Sequence, residues 1–141
     1  MIPLNVLKVL KVGIVSCSGE AIPGGTVSRI ASRKVLDELR PDKTVTICLP
    51  LFIAAGGEER KFAADYPTIT VDGCEKYCAR KSTEKLSGKP ARSLLIPEIL
   101  EKRGMKAPAR LRNMSTEEKA TIQVVAEEIA RTVDEVLGTK E

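Results

Sequence analysis

Leu7-Lys8-Val9-Leu10-Lys11-Val12-Gly13-Ile14-Val15-Ser16-Cys17-Ser18-Gly19 is the stretch that decides the fold. The run from Leu7 to Val15 is rich in Val, Leu and Ile and closes on Ser16-Cys17-Ser18-Gly19, so it reads as a strand running into a turn. Pro23-Gly24-Gly25-Thr26 then opens a helix with Thr26 as the expected cap. Val27, Ile30, Ala31, Val35 and Leu39 recur along it at helical spacing until Pro41 stops it.

The alternation continues along the chain. Thr44 to Cys48 is a second short strand, rich in β-branched residues. After it come the apolar Leu49 to Ala55, a break at Gly56-Gly57, and a short helix over Glu58 to Ala64. Thr68 to Val71 is a third strand, Glu75 to Leu86 a helix stopped by Ser87-Gly88, and Ala91 to Ile96 a fourth strand. Pro97 to Lys102 reads as a helical turn. In the last helix Ser115 and Glu118 form a capping-box pair, and Ile122, Val125, Ala126, Ile129, Val133, Val136 and Leu137 draw one apolar stripe before Gly138. Strands this apolar, alternating with helices, imply a sheet covered on both faces. The expectation is an α/β fold: a small three-layer sandwich with a mostly parallel four-stranded sheet, residues 1–141 forming a single domain.

Composition narrows the chemistry. The 141 residues include four Cys and neither His nor Trp. Without His there is no imidazole base, no His-based triad and no mixed Cys and His metal site. A chain of this length buries enough surface to fold without disulfide staples, so the Cys call for another explanation. Lys8 and Lys11 interrupt the N-terminal apolar run, which argues against a secretory leader, and no apolar run approaches the length of about 20 that spans a bilayer. The protein is therefore expected to be cytoplasmic and away from membranes. The formal net charge is +4, with the basic excess between residues 71 and 112 and an acidic excess between residues 113 and 141. Only Tyr77 interleaves those basic residues, so nucleic-acid binding has almost no support; a solvated helix face and a basic loop account for them.

Cys17 follows strand one, Cys48 ends strand two, and Cys74 with Cys78 follow strand three. In an open parallel sheet these ends share the carboxyl edge, where such folds place their sites. Strands lie about 4.8 Å apart, so the order 2-1-3-4 puts Cys17 between the other two groups, and that order is expected for this reason. The i, i+4 spacing of Cys74 and Cys78 would place both sulfurs on one face of a helix N-terminus. A single zinc ion held by four thiolates is chemically sensible there, with Asp72, Ser18 and Gly73 behind the ligands. The same thiols would also serve a thiol redox or sulfur-transfer protein, or an iron-sulfur cluster. The blander alternative is four buried small hydrophobes at strand ends.

These residues resemble the DGC-domain family, described as zinc-binding and named for the triplet that stands here as Asp72-Gly73-Cys74. Cys17-Ser18-Gly19, Cys48 and Cys78-Ala79-Arg80-Lys81 look like its other cysteine motifs, and the similarity covers nearly the whole chain. The resemblance implies a zinc site built from the four Cys and supplies no reaction. Glu75 stands where many members have Pro, and it doubles as a favourable acidic residue for a first helical turn.

Other constellations fail. The glycines between Gly19 and Gly25 do not make G-x-G-x-x-G, no G-K-[ST] follows, and a phosphatase-type loop from Cys17 would need Arg where Pro23 stands. Asp72 orients a ligand, acts as an acid or base, or simply turns the chain. A redox protein or another metalloprotein is the partner that such a sulfur site would meet.

Overall fold

The computed structural model describes residues 11–17, 19, 22–108 and 115–138. Four parallel strands, β1 (Val12–Ser16), β2 (Thr44–Thr46), β3 (Thr68–Asp72) and β4 (Arg92–Leu95), form one sheet in the order β2-β1-β3-β4. This is the expected order. Six helices lie among the described residues: α1 (Pro23–Lys34), α2 (Leu49–Ala55), α3 (Phe62–Asp65), α4 (Cys78–Leu86), α5 (Ile96–Lys102) and α6 (Thr116–Leu137). Leu7 to Leu10, expected to begin the first strand, lie outside the described residues.

The pleat sorts the core into two halves. Val12 and Ile14 of β1 and Ile69 and Val71 of β3 face α1, α5 and α6, where they pack on Val27, Ala31, Ile99, Val125 and Ile129. Val15, one residue out of phase, faces the opposite side with Leu49, Phe52, Phe62 and Ala79. The sheet is thus the middle layer of three.

Several element boundaries differ from those read locally. The first helix begins at Pro23, with Ile22 as N-cap and no side-chain cap bond, so Thr26 lies inside it rather than capping it. Pro favours the first helical turn because its missing N–H has no helical partner there. The helix then widens into a π-helical segment over Val35–Leu39, and Arg40 beyond it grips Asp134 of α6 with Nε and Nη2 at 2.8 and 2.6 Å. Leu49–Ala55 is helical, with Pro50 in its first turn. Consequently β2 ends at Thr46 and Cys48 is not a strand end; it is the residue that introduces α2.

Because the chain runs from β1 outward to β2 and then crosses to β3 on the other flank, the seam between β1 and β3 is where the connections diverge. Loops part there and leave a crevice at the carboxyl ends. That seam positions Cys17 and the turn after β3.

Candidate metal centre at the carboxyl edge

Cys17 continues β1 by one residue, its N–H donating to Val71 O at 3.0 Å as though the ladder went on. Its half-buried side chain packs against the Val15, Leu49 and Phe52 cluster. Two polar groups reach the sulfur: the Gly73 N–H donates to Sγ at 3.3 Å, and Ser28 Oγ of α1 lies 3.4 Å away. The sulfur therefore sits over the β1/β3 seam, held from one side by the chain leaving β3 and from the other by the first helix.

Gly73 is the tightest point of the edge. A Cβ on Gly73 would overlap the backbone of Gly24 and Gly25, and one on Gly24 would overlap the Gly73 carbonyl. Bare backbones are what let the start of α1 lie directly on the β3–α4 turn. The glycines read as a turn before α1 are thus a packing surface for the Asp-Gly-Cys triplet.

Asp72 is 1% exposed and belongs to that packing. Its Oδ1 accepts the Ala79 N–H at 2.7 Å and its Oδ2 the Arg80 N–H at 3.1 Å. It is a remote N-cap: a carboxylate from the end of β3 satisfies two of the orphan donors of α4. Burial pushes its carboxyl above the usual aspartate range, opposed by the two N–H bonds and the Arg80 charge. With both oxygens engaged, Asp72 sets where α4 begins rather than merely turning the chain.

That beginning is Cys78, not Glu75. Tyr77, immediately before it, is left-handed at φ 53 and ψ 48, which interrupts any helix running through Glu75, and the Arg80 guanidinium lies 5.3 Å from its ring centroid. Cys74 therefore lies in the turn, its carbonyl accepting the Tyr77 N–H at 3.1 Å. The expectation that Cys74 and Cys78 share a helix face is overturned, because only Cys78 is helical.

All four cysteines are free thiols, and Cys17, Cys48 and Cys78 adjoin one apolar cluster. Leu49, which follows Cys48, and Ala79, which follows Cys78, pack in the cluster that supports Cys17, and α2 touches α4. Cys48 and Cys78 are exposed and Cys74 is half-buried, so the four are not uniformly buried small hydrophobes. Among the described residues no hydrogen bond reaches the sulfurs of Cys48, Cys74 or Cys78. Nor do three Cys, Asp or Glu side chains there stand close enough to share a metal ion. The backbone brings the donors to one edge without drawing the side chains onto a common point. Ser18 lies outside the described residues. Exposed Leu51 and Ile53 of α2 give this edge an apolar rim beside Cys48, and the exposed Lys76 and Lys81 give it a basic one. A cleft of about 470 Å³ between α1 and α5 meets the opposite side of Gly73, and no cysteine lines it.

Ser28 escaped the sequence reading. It is fully buried and lies on the same inward side of α1 as Val27 and Ala31. A polar residue within a buried stripe was the available signal, since buried hydroxyls need partners.

Fold and edge together define a small doubly wound α/β domain with a sulfur-rich carboxyl edge. The chain belongs to the DGC-domain family: the family model, described as DGC domain, matches residues 13–136 and so spans all four cysteines. No curated protein and no solved structure matches it.

Proposed function

We propose that this edge is a zinc centre in which Cys17, Cys48, Cys74 and Cys78 hold one ion as thiolates. The observation that carries the reading is the Cys17 sulfur, which already accepts the Gly73 N–H at 3.3 Å; outer N–H bonds of this kind orient ligand atoms in metal sites. The donor set fits as well. Three further thiols share the edge, and four sulfurs without His are the makeup of a closed tetrahedral zinc site. Since no three donors converge among the described residues, the reading requires the Cys48, Cys74 and Cys78 side chains to turn toward Cys17 when metal binds.

A bound zinc would tie the turn after β3 to the start of α2 and so supply folding energy. A shell closed by four sulfurs leaves no position for substrate, so the role is structural or regulatory rather than catalytic. This reading goes with a cytoplasmic setting, where thiols stay reduced. No helix among the described residues is long and apolar enough to cross a membrane.

A second reading, thiol exchange or sulfur transfer, draws on the exposure of Cys48 and Cys78, which lets an external sulfur reach either. One experiment separates these readings from an iron-sulfur cluster. Protein purified anaerobically without added metal is assayed for zinc, iron, acid-labile sulfide and free thiols. One zinc per chain, lost in each single Cys→Ser variant, is expected. Folded, metal-free wild type with four titratable thiols and unperturbed variants refutes the zinc reading; iron with sulfide replaces it by a cluster.

A further inference from the structure

The geometry points to Ser28 as a positioning residue for the Cys17 sulfur, one that holds it in place from the opposite layer of the sandwich. Ser28 is fully buried; its Oγ donates to Gly25 O at 2.7 Å and lies 3.4 Å from Sγ of the half-buried Cys17. A hydroxyl has one proton and two acceptor sites. While it donates to Gly25 O, it accepts from the Cys17 S–H. When the sulfur has given up its proton to become a ligand, the hydroxyl turns and donates to it. Gly25 O loses little by this, because a carbonyl in the first turn of a helix also accepts from the amide four residues on. Both states of Cys17 thus find a partner in Ser28 without leaving a buried polar group unsatisfied.

Gly73 N–H and Ser28 Oγ approach the same sulfur from different elements, the turn after β3 and the second turn of α1. Two bonds from two directions favour the one side-chain rotamer that reaches both groups, and loss of Ser28 removes one of the two. Ser28 thereby fixes where the Cys17 sulfur stands over the seam between β1 and β3. The zinc part of this inference rests on the function proposed above; the orientation part does not.

The test is Ser28→Ala in the full chain. Ala is a better helix former than Ser, and the helix keeps its own bonds, so the variant is expected to fold. In metal-free protein, the Hα–Hβ couplings of Cys17 are expected to report a single rotamer in the wild type and averaging in Ser28→Ala. The Gly73 amide proton shifts with it. In competition with a chelating dye, zinc is expected to be held at least about tenfold more weakly by the variant, and the thiolate-to-metal absorption of the Co(II) form to move. Unchanged couplings overturn the inference. So does an unchanged zinc hold when the wild type binds the ion. If the wild type takes no zinc, the metal reading alone fails, and the metal-free couplings still decide on Ser28.

Discussion

Replacing Asp72 by Ala removes the carboxylate that hydrogen-bonds the end of β3 to the start of α4. Two backbone donors, Ala79 N and Arg80 N, lose their acceptors, and Ala79 is fully buried. A lost helix cap costs about 1 kcal/mol, and a buried donor left unsatisfied adds about 1–3 kcal/mol. Relief of the buried carboxylate, whose desolvation is the leading influence on its titration, offsets part of this. The net expectation is a loss of about 2 kcal/mol, or roughly 6 °C in melting temperature for a chain of this size. Asp72→Asn keeps one oxygen for Ala79 N but turns an amide NH2 toward Arg80 N, so it should recover only about half of the loss. Urea unfolding followed by circular dichroism gives the stabilities, and amide exchange at Ala79 and Arg80 localises the damage. If Asp72→Ala lies within about 0.5 kcal/mol of wild type, or exchange at those two amides does not accelerate, the remote-cap reasoning is wrong.

Three further outcomes are expected. Gly73→Ala forces its Cβ into the Gly24–Gly25 backbone and should cost about 1–3 kcal/mol in urea unfolding, whereas Gly88→Ala, whose nearest neighbour is the Ala63 Cβ at 3.9 Å, should change stability by under about 0.5 kcal/mol; equal effects would show that the glycine contact is unimportant. Arg40 holds the Asp134 carboxyl below its usual range, so the stability this pair adds is fully present above the ordinary aspartate value of about 3.9 and is lost as pH falls through the lowered folded value. Asp134→Asn should therefore cost about 1–3 kcal/mol near neutrality and progressively less in acid, and a gap that widens on acidification would contradict the assignment. Ser115 Oγ accepts the Glu118 N–H while Glu118 returns a bond to Ser115 N, so Ser115→Ala should cost about 1 kcal/mol and speed amide exchange in the first turn of α6; unaltered exchange there would argue against the cap.

The elements that local chemistry defines were legible without coordinates. The apolar run through Val12 and Ile14, the β-branched stretch from Thr44, the Ser115 to Glu118 box and the stripe from Ile122 to Val133 each depend on residues within a few positions of one another. Strand order was legible for a different reason: only with β1 beside β3 do Cys17 and the Asp-Gly-Cys triplet become neighbours. Local reading failed where a distant group intervened. The composition from Glu75 to Leu86 is helical throughout, yet α4 starts at Cys78, because Asp72 caps Ala79 and Arg80 and Tyr77 turns left-handed.

By itself, then, the sequence determined the α/β class and the alternation of elements, since periodicity and turn chemistry act between near neighbours. Only the tertiary structure decided which residues hold the carboxyl edge in shape. Gly73 against Gly24 and Gly25, the Gly73 N–H on the Cys17 sulfur and Ser28 beneath it unite positions up to 56 residues apart. Their distances are set by parallel strand pairing and by bare glycine backbones in contact, neither of which leaves a local period to read.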